Sequence, residues 1–216
     1  MKRMFLLLMP LFLLMSCSTN RDGNLNNFQS KEETLFDRTY RKASSGNEKS
    51  QLNLGLMYLV GEGVNQDLLL AKNWFRKSAL QGNAAAQFNT GVMYYDGSSV
   101  GNKNDIKNAI FWFSKAAYQN YPGAMNNLAL AYIANNDIDS GLLWLEKSAE
   151  RGSGYGAYLL ADIYDKGIGV KKNNDKVKFW AKKALNSSES ENSMPYKQKS
   201  KDLIEMNQSF FEKLFD

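Results

Sequence analysis

The side chains that ordinarily carry enzyme chemistry are few in this chain. Its 216 residues contain no histidine and a single cysteine, Cys17. Without an imidazole, neither a Ser/His/Asp nor a Cys/His nucleophile can be assembled, and the usual zinc sets, which need histidines or several thiolates, go with them. One cysteine cannot form an intrachain disulfide. Carboxylates, lysines and tyrosines remain. Gly61 and Gly63 in "GEGVNQ" lack the third glycine and the preceding strand of a dinucleotide loop. Asp137 and Asp139 in "NNDIDS" suit helix capping better than cation binding. The expectation is a non-enzyme with no catalytic residue, metal site, cofactor or small-molecule substrate.

Composition allows a packed domain: 44% of residues are hydrophobic, with 12 Phe, 11 Tyr and 4 Trp, which argues against global disorder. The formal charge of +5 falls to +3 once Lys2 and Arg3 are set aside, and no run of five like charges occurs. That is too little, too widely spread, for a nucleic-acid footprint. The N-terminus, "MKRMFLLLMPLFLLMSC", places two cations before the twelve uncharged residues Met4 to Met15. A spanning helix needs about 20 apolar residues, so the segment reads as a secretory signal. Leu14, Met15, Ser16 and Cys17 resemble a bacterial lipobox, which implies cleavage before Cys17 and diacylation of its thiol. Ser18 follows, rather than an aspartate, and outer-membrane attachment facing the periplasm is the expectation. Residues 1–16 are thus assigned to a signal peptide and 17–30 to the acylated cysteine and a polar tether.

The remaining sequence repeats itself four times, the signature of a solenoid. Gly55, Gly91, Ala129 and Ala161 hold one small position, each followed three residues later by Tyr58, Tyr94, Tyr132 or Tyr164. Trp74, Trp112, Trp144 and Trp180 complete the pattern and are all the tryptophans present. Successive small positions lie 36, 38 and 32 residues apart. Apolar residues at steps of three and four predict two helices per unit. A glycine turn separates them at Gly61 and Gly63, at Gly97 and Gly101, and at Gly167 and Gly169. Asp67, Asp105, Asp137 and Asn173 stand seven residues before each Trp as candidate N-caps, and Gly82, Asn120 and Gly152 as helix ends.

These units resemble Sel-one-like repeats, the relatives of the tetratricopeptide repeat, most clearly in "LGLMYLVGEGVNQDLLLAKNWFRKSALQG" from Leu54 to Gly82. The fold expected is all-α: a right-handed α-solenoid of about four helix-turn-helix repeats over 49–188. A capping helix is assigned to 31–48, and a loop with a second capping helix to 189–216, where Leu203, Met206, Phe210 and Leu214 form a stripe. Repeat three lacks the Gly-x-Gly turn, which leaves the connection between its helices open. Cysteine-rich members of the family are linked to β-lactam chemistry, but their helix pairs are stapled by disulfides and no Ser-x-x-Lys motif falls within a repeat here.

By analogy with the related repeat, the first helix of each unit lines the concave face. Positions six and three before the small residue, and one and four after it, then point inward. Candidate partner-binding residues on that stripe are Leu56, Leu59, Phe88, Val92, Tyr95, Leu130, Ile133, Tyr158, Asp162 and Asp165. They describe a groove that is apolar and aromatic at one end and acidic with tyrosines at the other. Packing between units is the competing role for Leu52, Phe88 and Tyr158. The function read from this pattern is a lipid-anchored periplasmic module that binds a protein partner as an envelope scaffold or adaptor. The alternatives are an immunity protein neutralising a phospholipase-type toxin, and peptidoglycan binding.

Overall fold

The computed structural model describes residues 33–96, 105–188 and 195–215, with side chains through 206 in the last span. The signal segment, Cys17 and tether, and repeat two's Gly97 and Gly101, lie outside the described residues, as do the side chains of Phe210 and Leu214. From Thr34 onward the chain forms one compact unit. It is built of α1 (Leu35–Ser44), α2 (Glu48–Val60), α3 (Leu68–Leu80), α4 (Ala84–Tyr95), α5 (Ile106–Tyr118), α6 (Ala124–Ala134), α7 (Ile138–Glu150), α8 (Gly154–Lys166), α9 (Asn174–Leu185) and α10 (Pro195–Phe215). Each helix packs on its neighbours in sequence, and α10 reaches back to α8 as well as α9. The four repeats are the pairs α2–α3, α4–α5, α6–α7 and α8–α9, an all-α solenoid.

The local chemistry explains each boundary. Asp67, Asp105, Asp137 and Asn173 accept hydrogen bonds from the backbone N–H groups of Leu70, Asn108, Ser140 and Lys176 at 2.8–3.1 Å, so every second helix has its side-chain cap. The same four residues donate their own backbone N–H to the carbonyls of Tyr58, Tyr94, Tyr132 and Tyr164, which ties each turn to the end of the first helix. Gly61, Gly63, Gly167 and Gly169 are left-handed, as the turns of repeats one and four require. Repeat three makes its shorter turn without glycine: Asn136 adopts φ 62°, a conformation asparagine tolerates better than other side chains.

The small position is small because an aromatic ring faces it. A Cβ on Gly55 would lie 2.5 Å from Phe75, and one on Gly91 would lie 2.5 Å from Phe113. In repeat three the small residue is Ala129 and the facing residue shrinks to Leu145; in repeat four the pair is Ala161 and Ala181. All of these side chains are fully buried. The four tryptophans are buried beside them, as the core role requires. Of the stripe expected on α10, Leu203 is buried but Met206 is exposed, because α8 and α9 cover only one side of the helix at that point.

Candidate functional site

The first helices differ from the second in charge. α4 and α6 carry no charged residue, α2 carries one of each sign, and α8 carries Asp162, Asp165 and Lys166. Along this row the expected stripe divides into residues used for packing and residues left open. Phe88 packs within its own unit, its ring centroid 5.8 Å from that of Phe113 and 5.2 Å from that of Tyr121 at the end of the repeat, and not between units as the register suggests. Ile133 turns onto the second helix of its own unit, where a Cβ on Gly141 would fall 2.5 Å from its Cγ1. Both are therefore structural side chains at least in part. Leu59 is half-buried against the core of the first repeat, and Val92 and Tyr95 against the larger core, with the Tyr95 ring 6.2 Å from Phe113. Leu56 is exposed and Leu130 is half-exposed.

The stripe ends in a cavity of about 570 Å³ between α6, α8 and α10. Gly123, Asn126, Tyr155, Tyr158 and Asp162, all on the inward stripe, line it together with Ser153, Leu159, Pro195, Tyr196 and Lys199. The rings of Tyr155, Tyr158 and Tyr196 cluster with centroids 6.0–6.3 Å apart. Asn126 Nδ2 donates to Ser153 Oγ at 3.1 Å, while the buried Asn126 Oδ1 has no hydrogen-bond partner in the protein. That oxygen lies against α8, where a Cβ on Gly156 would fall 2.8 Å from it, so it is closed to a docking partner.

This end of the stripe is not acidic in the way the sequence suggests. Lys166 Nζ donates to Asp162 Oδ2 at 2.8 Å, one turn along α8, and the Lys199 ammonium enters the same cavity. The hydrogen bond to Asp162 raises the Lys166 pKa, and Asp165 adds to the same effect. The site is charge-balanced because each carboxylate has a lysine within reach. The α10 contributors, Tyr196 and Lys199, were not foreseen. Their one signal is "PYKQK" itself, a proline that starts a helix with an aromatic and cations in its first turn.

Burial raises the Tyr158 phenol above its ordinary value of 10.0, and Asp162 adds to the shift. Tyr58 and Tyr132 are raised for the same leading reason. A group whose folded-state pKa lies above its unfolded value contributes stability that is present below the unfolded pKa and is lost as pH rises through the folded one. The urea midpoint is therefore expected to be lower at about pH 11 than at about pH 8, with a smaller fall in Tyr158→Phe. Equal midpoints at both values would contradict the burial of these phenols.

A model of the Sel1 repeat matches the chain at residues 48–83, 84–121, 122–153 and 154–188. The chain belongs to the Sel1 repeat family. Sel1 repeats are protein-interaction modules, and no catalytic family is indicated. A solved Sel1 repeat protein from Oxalobacter formigenes is 26% identical, covers 81% of this chain and 77% of its own, and superposes with a TM-score of 0.63. A protective antigen present in uropathogenic Escherichia coli strains, displaying an SLR fold, is 33% identical over 70% of this chain, with a TM-score of 0.60. The chain spans 33% of that antigen's length. A Sel1 repeat protein from Klebsiella pneumoniae shares the fold at 16% identity and a TM-score of 0.51, covering 84% of this chain and 99% of its own. No curated protein shows significant similarity to the chain.

Proposed function

We propose that this Sel1 repeat protein is a lipid-anchored envelope scaffold or adaptor that docks an extended segment of a protein partner along its first helices. The observation that carries this reading is the half-exposed apolar stripe of α4 and α6, which runs without a charged residue toward the tyrosine-lined cavity of about 570 Å³. α4 and α6 offer the apolar side chains of such a segment a surface free of charge. Tyr95 and the Tyr155, Tyr158 and Tyr196 cluster supply the amphipathic rings on which interfaces concentrate their affinity.

The test uses residues 18–216 as bait in cross-linked envelope preparations and in lysates containing secreted effectors, with mass spectrometry of what is retained. For the partner so found, the double variant Tyr95→Ala, Asp162→Lys is expected to weaken binding by about tenfold or more. Wild-type affinity in that variant removes the docking site from this face. Recovery of one stoichiometric toxin would replace the scaffold reading by an immunity role, and sedimentation with cell-wall sacculi in place of any protein would point to peptidoglycan. The anchor rests on Cys17: metabolic labelling with a palmitate analogue is expected in the wild type and absent in Cys17→Ala.

A further inference from the structure

The second helices carry the charge that the first helices lack. α3 has three basic residues and no acid, α5 has two and none, and α9 has four lysines and one aspartate. The acids of this row sit mainly on α7, as Asp139, Glu146 and Glu150, beside Lys147. Cations that look evenly spread along the sequence are thus gathered on one layer of the fold.

On the side of these helices turned away from the core, large apolar side chains alternate with lysines in a fixed register, with the acids Asp139, Glu150 and Asp175 at the ends of the rows on α7 and α9. Phe111, Leu143 and Phe179 each stand one residue before a repeat tryptophan and are 49%, 63% and 59% exposed. Lys115, Lys147 and Lys183 follow them by four residues, one helical turn along the same face. Each ammonium stands over an aromatic ring of its own helix: Lys115 over Phe111 at 5.0 Å, Lys147 over Trp144 at 4.7 Å and Lys183 over Trp180 at 5.2 Å. The pattern recurs in three consecutive repeats. Lys147 and Lys183 cover buried tryptophan rings, and Phe111 and Phe179 stand edge-on to Trp112 and Trp180 at 5.0 and 4.9 Å, yet all three apolar side chains leave about half or more of their surface exposed.

We propose that this face binds the surface of an anionic phospholipid bilayer. Apolar side chains at regular spacing can enter the boundary between headgroups and acyl chains, while lysines held one turn away meet the phosphates. Exposed leucine and phenylalanine favour a bilayer over a nucleic acid, whose backbone is met by cations and polar groups. Among the described residues no helix is long and apolar enough to cross a membrane. The face differs in chemistry from α4 and α6, which carry no charge, and leaves the first helices free for a partner; the inference does not depend on that partner.

Residues 34–216, a compact unit by themselves, are suited to vesicle sedimentation without any contribution from the N-terminal segment. With phosphatidylcholine vesicles containing about 30% phosphatidylglycerol, at about 50 mM salt, the protein is expected to bind about tenfold or more tightly than it binds pure phosphatidylcholine. Two triple variants, Lys115→Glu with Lys147→Glu and Lys183→Glu, and Phe111→Ser with Leu143→Ser and Phe179→Ser, are each expected to weaken that binding by about tenfold. The serine variant changes only solvent-exposed side chains, so its helix content by far-UV circular dichroism should match the wild type. No binding to the anionic vesicles, undiminished binding by either variant, or retention of duplex DNA without retention of vesicles would each overturn the proposal.

Discussion

Truncating Phe113 to alanine is expected to destabilise the protein by about 3–5 kcal/mol, the range for removing a fully buried aromatic ring. Phe113 is wholly enclosed, its ring stands beside those of Phe88 and Tyr95, and its edge lies against the backbone of Gly91. No neighbour can move in cheaply, because the gap opens between two helices whose separation is set by the adjoining repeats. Against a typical total of about 5–15 kcal/mol, the loss is a large share of what holds the fold together. Urea unfolding followed by far-UV circular dichroism measures it, and hydrogen exchange should show α4 and α5 opening first, since repeat arrays are held by nearest-neighbour contacts. The control is Phe111→Ala, two residues away and half-exposed, whose edge contact with Trp112 limits the expected loss to about 1 kcal/mol. A loss at Phe113 no larger than at Phe111 would mean that the ring is not the unit's packing centre. Because Phe88 and Tyr95 rest on this ring, partner affinity should fall with it.

The second large effect lies at the position Phe113 faces. Gly91→Ala places a methyl group 2.5 Å from the Phe113 ring and is expected to cost about 1–3 kcal/mol through overpacking, although alanine is the better helix former. Repeat three solves the same contact with Ala129 and Leu145, both fully buried. Transplanting that solution, as Gly91→Ala with Phe113→Leu, should therefore recover part of the loss. A double-mutant cycle is expected to give a favourable coupling of about 0.5–3 kcal/mol, read from urea midpoints of the two single variants and the double. Strictly additive effects would contradict the account of why the small position is small.

That trade between a small residue and its facing partner is written in the sequence, since one chain supplies four versions of it. The capping aspartates were legible for the same reason: Asp67, Asp105 and Asp137 recur at one distance from the tryptophan, and a cap is a local device that needs only its own helix. Features that depend on distant parts of the chain were not legible. Asn136 replaces a glycine by adopting a left-handed conformation that no spacing announces. Tyr196 and Lys199 close the cavity because α10 folds back onto α8, and no repeat period extends that far. The acidic end read from Asp162 ignored a local partner, Lys166 four residues on, while the second cation, Lys199, comes from α10 and has no such signal. Phe88 and Ile133 share a register with open residues, and only their packing partners tell them apart.

The central claim, that the first helices dock a protein, is tested most directly by site-specific photocross-linking in living cells. A benzophenone amino acid is introduced in turn at Leu56, Tyr95 and Leu130 on the first helices and at Lys77 and Leu80 on a second helix. Adducts of one discrete protein are predicted from Tyr95 and Leu130, with none of that protein from Lys77 or Leu80. The same protein captured only from the second-helix positions, or no protein adduct from any first-helix position, would contradict the account.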